Sequence, residues 1–338
     1  TFSYGTQDQL TKSVTYKTAV ANDLNPVALG TVRSVTVYEG FEGEEKAQTT
    51  YNYNNAATGI KTITRFTYGS EDQLTKSTTY RSLVATELIA PALGNVRSVT
   101  NYAGPESEEK AQVTYNYNNA ATGIKTITTF TYGSEDQLTK STTFRTLDPT
   151  QLLNPQVDKV RSVTLYAGNE SEEKAQTTYN YNYAATGIKT ITKFTYGSDD
   201  QLTKSVTYRS AVATELTAPA LGNVRSVTQY LGGESEEKAQ TTYNYNYAAT
   251  GIKTITKFTY GSDEALTKSV THRSATATEL VAPALGNVRS VTVYQGGESE
   301  EKAQITYNYN YAATGIKTIT TFSYGTQDQL TKSVTYKT

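Results

Sequence analysis

TFSYGTQDQLTKSVTYKT, Thr1 to Thr18, is spelled again from Thr321 to Thr338. Between the two copies the phrase recurs in variant form, its glycine at Gly5, Gly69, Gly133, Gly197, Gly261 and Gly325, so each step is 64 residues and five steps make 320. A strict period of this length marks a repeat architecture, in which each repeat buries its faces mainly against its neighbours. The repeats are 1–64, 65–128, 129–192, 193–256 and 257–320, with 321–338 opening the next. The unbroken register argues for one continuous array over 1–338, with no linker inside it. Because the sequence starts at Thr1 and contains no Met, we expect it to be an interior window of a longer, near-identical array.

Only 36% of the residues are hydrophobic, and 28 of those are Tyr and 8 are Phe, so an aliphatic core would be thin. The abundant Thr, Tyr, Val and Ile favour strands, and strong helix formers concentrate in one recurring loop. The fold class expected is all-β. Burial then rests on aromatic rings and Thr methyls.

Lys and Arg number 31 against 32 Asp and Glu, a formal net charge of -1, which excludes a nucleic-acid binder working through a broadly basic surface. There is no apolar run long enough for a membrane helix. With no Cys there are no disulfides, thiol chemistry or zinc-thiolate sites. A Cys-free, Thr- and Tyr-rich β-repeat is what we expect of an exported bacterial protein at the cell surface or outside the cell.

The first repeat reads as four strands, each opened by a basic residue: Leu10–Tyr16 around Lys12, Val32–Tyr38 around Arg33, Lys46–Tyr53, and Ile60–Tyr68 around Lys61. Turn signals separate them at Gly5–Gln9 (GTQDQ), Gly40–Glu45 (GFEGEE) and Asn54–Gly59 (NNAATG). Loops this short suit hairpins, whereas a parallel pair needs a crossover of roughly a dozen residues. The layout expected is thus a repetitive antiparallel strip of hairpins, four strands per repeat, wound or stacked into a tube, spiral shell or solenoid-like fibre. The longer connection, Lys17–Thr31 and again Ser82–Asn95, has room for a helical turn, and Pro26, Pro91, Pro155, Pro219 and Pro283 fall in it rather than in strands. Tyr4, Tyr68, Tyr132, Tyr196, Tyr260 and Tyr324, with Leu10, Leu74, Leu138, Leu202, Leu266 and Leu330, are expected to be at least half-buried in every repeat. Gly232, Pro105 and Asn169 are read as variable, solvent-facing loop positions.

Phe66–Tyr80, FTYGSEDQLTKSTTY, resembles the YD-repeat (Rhs-type) family, whose pattern is aromatic, any, Tyr, Asp, two spacers, Gly, Arg, Leu, Thr. Phe66, Tyr68, Leu74 and Thr75 match, while Gly69 stands for Asp, Asp72 for Gly and Gln73 for Arg. The resemblance implies a long antiparallel strip wound into a hollow shell, which in the family encloses toxins or forms large surface proteins. The family's self-cleaving PxxxxDPxGL segment is matched only by Asp148 and Pro149, so toxin release by self-cleavage is not expected here.

No catalytic, cofactor or metal constellation is found, and the chain is read as non-enzymatic. The only His, His272, stands where the other repeats have Tyr16, Tyr80, Phe144, Tyr208 and Tyr336, and is read as a drifted aromatic spacer. Carboxylate clusters such as Glu106, Glu108 and Glu109, or Glu71 and Asp72, are read as solvated turns that blunt lateral pairing. The basic residues could contact an anionic polymer, and the Tyr-Asn segments such as Tyr179–Tyr183 could offer stacking surfaces for sugars or bases. This leaves a repeat adhesin binding surface glycans, or a shell enclosing a C-terminal toxin, as the alternative functions to a structural fibre, tube or stalk. Cross-strand ladders are the preferred reading. The partners expected are neighbouring repeats of the same protein and further copies in a filament.

Overall fold

The computed structural model describes residues 1–18, 29–54, 57–83, 91–118, 120–148, 150, 152, 155–212, 219–234, 236–261, 264–276, 283–296, 301–324 and 330–338. Among these the chain forms 22 strands and no helix. They group into two compact bodies, Thr1–Phe130 with Phe144–Asp158, and Thr131–Thr143 with Lys159–Thr338.

The first body carries β1 (Phe2–Tyr4), β2 (Leu10–Thr18), β3 (Leu29–Glu39), β4 (Lys46–Tyr53), β5 (Ile60–Tyr68), β6 (Leu74–Ser82), β7 (Leu93–Ala103), β8 (Lys110–Tyr117) and most of β9 (Ile124–Tyr132). Each pairs antiparallel with the next in sequence. After β10 (Leu138–Thr146), the second body continues with β11 (Val157–Ala167), β12 (Lys174–Tyr181), β13 (Ile188–Tyr196), β14 (Leu202–Ser210), β15 (Leu221–Leu231), β16 (Lys238–Tyr245), β17 (Ile252–Tyr260), β18 (Leu266–Ser274), β19 (Leu285–Gln295), β20 (Lys302–Tyr309), β21 (Ile316–Tyr324) and β22 (Leu330–Lys337). From β11 onward each again pairs antiparallel with its successor. This is the antiparallel strip of hairpins, four strands to a repeat.

Strand register explains how so polar a sequence packs. Side chains alternate between faces, and on one face Thr36, Thr50, Thr64 and Thr79 stand directly opposite one another. Thr36 and Thr50 share a hydroxyl hydrogen bond of 2.9 Å, and Thr64 and Thr79 one of 3.0 Å. The other face, one residue along, carries the row Val35, Tyr51, Ile63, Tyr80. Ile63 is 1% exposed and its neighbour Thr62 6%, so both faces are covered at this height. The core is therefore a pair of isoleucines per repeat: Ile60 and Ile63, Ile124 and Ile127, Ile188 and Ile191, Ile252 and Ile255. Fully burying each Ile stabilises by roughly 1.5 to 3 kcal/mol relative to exposure. The fifth pair, Ile316 and Ile319, is only half-buried.

The turns follow their chemistry. Asp72 sits at φ 63°, with Gly69 N–H donating to the Gln73 carbonyl at 2.8 Å; Asp is among the few residues that tolerate this left-handed conformation. Asn54 closes its turn by accepting the Thr58 N–H on Oδ1 at 2.9 Å. Gly40 has φ 136°, and a Cβ there would lie 2.6 Å from the Glu44 carbonyl oxygen. Gly104, Gly168 and Gly232 repeat that geometry. Gly232 is thus exposed but belongs to a column that must be glycine, which corrects its reading as a variable position. Pro105 and Asn169 are exposed as expected.

Two further differences are local. β2 and β3 extend beyond the expected Leu10–Tyr16 and Val32–Tyr38, because the ends of the long connection join the ladder. Tyr68, Tyr132, Tyr196, Tyr260 and Tyr324 and the first five leucines are at least half-buried. Tyr4 at 63% and Leu330 at 55% exposure are not, since each lies in an outermost strand pair with neighbours on one side only. The helical turn expected in the long connection falls on residues outside the described set.

Candidate functional site

Consecutive antiparallel strands place alternate turns at opposite ends of the sheet. In the second body the β13–β14 turn with Asp199 and Asp200 and the β15–β16 turn with Glu234, Glu236 and Glu237 share one rim. Lysines on this rim are paired: Lys174 lies 2.7 Å from Asp200 and Lys238 2.5 Å from Glu264. The β12–β13 and β16–β17 turns lie on the opposite rim, with Tyr183, Lys189, Arg209, Tyr247 and Lys253. A chain of nearly zero net charge is therefore locally polarised, acidic at one rim and basic at the other.

On the basic rim an open groove of about 540 Å³ is lined by Asn182, Ile188, Lys189, Thr190, Arg209, Ser210, Arg225 and Tyr247. Among the described residues no carboxylate belongs to this lining. Ile188 and Thr190 are buried beneath it, while Lys189 and Arg225 are exposed. Arg209 is fixed: its Nη1 donates to the Val224 carbonyl at 3.2 Å, and its guanidinium lies 4.8 Å from the Tyr247 ring centroid. Asn223 Nδ2 donates to the Tyr247 carbonyl at 3.2 Å, tying the turn down. One repeat later the set returns, with Arg273 donating to the Val288 carbonyl at 3.1 Å and lying 4.8 Å from the Tyr311 ring, and Asn287 bonded to the Tyr311 carbonyl at 3.3 Å. Tyr247 nonetheless remains 80% exposed and Tyr311 81%. The arrangement offers an aromatic face and cations with no ion-pair partner among the described residues, over a buried floor.

The residues singled out in the sequence lie as follows. His272 stands opposite Ile255, as Tyr208 stands opposite Ile191, and its Nδ1 is 3.2 Å from the Gly286 carbonyl oxygen. Glu106 reaches Lys46 at 3.2 Å, and Asp72 meets the same ammonium at 2.9 Å. The last carboxylate of each turn departs from the solvated reading. Glu109 Oε1 accepts the Leu74 N–H at 2.6 Å, and the same bond recurs from Leu10 to Glu45, Leu138 to Glu173, Leu202 to Glu237 and Leu266 to Glu301. This bond joins residues 35 apart, so each carboxylate locks a turn to a strand end two strands away. The Leu10 N–H is the main reason that the Glu45 carboxyl lies below its usual value. Asp148 accepts the Thr150 hydroxyl at 2.7 Å and its N–H at 2.9 Å, which closes a local turn; Pro149 lies outside the described residues. Among the described residues no group of three or more His, Cys, Asp and Glu could hold a metal ion, and no helix is long and apolar enough to cross a membrane.

The Arg209–Tyr247 contact was missed in the sequence. Its signal was a change of residue: Asn55 and Asn119 give way to Tyr183, Tyr247 and Tyr311 at one repeat position. An aromatic gained in a turn has no cross-strand partner to serve.

Neither a family model nor a curated protein matches the chain. Among solved structures it aligns with the crystal structure of TcdB2-TccC3 at 13% identity and a TM-score of 0.25, over 99% of this chain and 18% of that one. It aligns with TcdB2-TccC3-TEV at 12% identity and a TM-score of 0.27, over 90% and 15%. A porin-like protein from Bacteroides uniformis aligns at 10% identity and a TM-score of 0.25, over 80% of this chain and 93% of that one. The chain thus spans less than a fifth of the TcdB2-TccC3 chain. Likeness of this order fixes no function.

Proposed function

We propose that this chain is a structural, non-enzymatic β-repeat, a stretch of a large exported bacterial fibre, tube or stalk in which each repeat completes its neighbour. The observation that carries this reading is the isoleucine pair. Ile188, Ile191, Ile252 and Ile255 are each 1% exposed, whereas Ile316 and Ile319, with β22 alone beyond them, are only half-buried. A core finished by the following repeat suits an array that grows by addition, and the partner it implies is more of the same protein. Negative-stain electron microscopy of the native material tests the proposal. Elongated bodies are expected; compact particles of one fixed size would overturn it.

A closed shell of the YD-repeat type is the second reading, favoured by Asp72. The family pattern carries Gly at that place, and Asp72 adopts the φ of 63° that Gly takes readily. Hollow particles with enclosed density in the same micrographs would favour it over the fibre.

A further inference from the structure

We propose that the groove walled by Tyr247 is a binding site for carboxylate-bearing sugars, repeated along the basic rim. Arg209 covers one face of the Tyr247 ring at 4.8 Å, and the ring is still 80% exposed. A packed cation on one face and open space on the other holds the ring rigid as a platform, on which the C–H face of a pyranose can stack. Lys189 and Arg225 flank the platform, both exposed and neither with an ion-pair partner among the described residues. A guanidinium beside a platform recognises a carboxylate through paired hydrogen bonds. Asn182 is not part of the recognition, because its side chain already closes its own turn, bonding the Thr186 hydroxyl at 2.9 Å and the Thr186 N–H at 3.0 Å.

The distribution of charge around the groove suits an acidic glycan better than a nucleic acid. A nucleic acid carries a phosphate on every residue, and its affinity rests on a continuous run of cations. Here the groove's cations lie on one rim, the opposite rim carries the acidic turns with lysines among them, and the net charge is -1. A polysaccharide with spaced carboxylates needs neutralising only at each groove. Four strands separate Tyr247 from Tyr311, about 19 Å along the sheet at ordinary strand spacing, so one polymer can engage successive platforms and gain by multivalency.

The test is calorimetric titration of the full chain with a galacturonate oligomer, a galactose oligomer of equal length as the neutral control, and oligothymidylate as the polyphosphate. Galacturonate is expected to bind, more weakly as salt rises, and in preference to both controls. Arg225→Gln with Arg289→Gln, and separately Tyr247→Ala with Tyr311→Ala, should each lose about tenfold in affinity, the worth of a charged hydrogen bond or a stacked ring. Tyr247→Phe with Tyr311→Phe, which keeps the platform, should retain binding, and unchanged thermal melting of all three variants would show that the fold is intact. Absence of galacturonate binding, equal binding of the neutral oligomer, tighter binding of oligothymidylate, or wild-type affinity in the double variants would each overturn the proposal. Because the readout is a soluble chain with a small ligand, its failure would leave the structural role untouched.

Discussion

Replacing Ile191 by Ala should cost far more than the same change at Ile319, although the two occupy the same place in their repeats. Ile191 lies between Tyr179 and Tyr208, and Tyr208 is in turn opposite Val224 of β15. Ile319 lies between Tyr307 and Tyr336, but Tyr336 has no strand on its far side among the described residues and is 55% exposed. Large-to-small changes at a fully buried Ile cost about 2 to 5 kcal/mol, through lost transfer energy and the cavity left behind. With Ile191 at 1% exposure and enclosed on both sides, we expect about 3 to 4 kcal/mol there, and roughly half that at Ile319, where the space can relax into solvent. Native-state hydrogen exchange read by peptide is the assay, since repeat stability is close to a sum of local terms. Ile191→Ala should lower the opening free energy of β12–β14 and leave β20–β22 nearly unchanged. Equal losses at the two sites, or a uniform loss along the chain, would refute the nearest-neighbour reasoning.

Tyr260 donates its hydroxyl to the Ala239 carbonyl at 2.8 Å, so Tyr260→Phe should cost about 1 kcal/mol, visible as a local rise in exchange in β16 and β17. Glu45 supplies a pH dependence. Its carboxyl is held below the ordinary 4.5, chiefly by the Leu10 N–H, so its stabilisation is complete above that value and is lost as the pH falls through the lowered one. Melting temperature followed downward from pH 5 should therefore drop less steeply in Glu45→Gln than in the wild type, and identical slopes would show that the bond contributes nothing. At Asp72, with φ 63°, Asp72→Asn should be well tolerated and Asp72→Val should cost about 1 to 2 kcal/mol more, because a β-branched side chain crowds the carbonyl in that conformation. Both variants lose the ion pair to Lys46, and their difference in urea midpoint reads chiefly the backbone effect.

The strands were legible because period and chemistry coincide. Lys46–Tyr53 and Ile60–Tyr68 keep the bounds read from their alternation and turn residues. The Gly69 to Gln73 turn was legible as a turn, but not the reason Asp72 could stand for glycine, which is the positive φ. Glu109 was not legible as a structural acceptor, because its bond to Leu74 depends on strand pairing that brings residues 35 apart together. The groove was hidden for the same reason. Tyr and Lys each read from the sequence as stacking and charged residues, yet Arg209 reaches Tyr247 only because the β16–β17 turn lies back toward β14 and β15.

The claim that each repeat is completed by the next is tested most directly by adding one. Amide exchange in β21 should be faster than in β13 and β17, matching the half-buried Ile316 and Ile319 against the buried pairs at Ile188 and Ile252. When a further 64-residue repeat is fused in register after Thr338, exchange in β21 should slow to the rate of β13 and β17, and the fast-exchanging pair should move into the added repeat. Exchange in β21 that stays fast with its successor in place would contradict the claim.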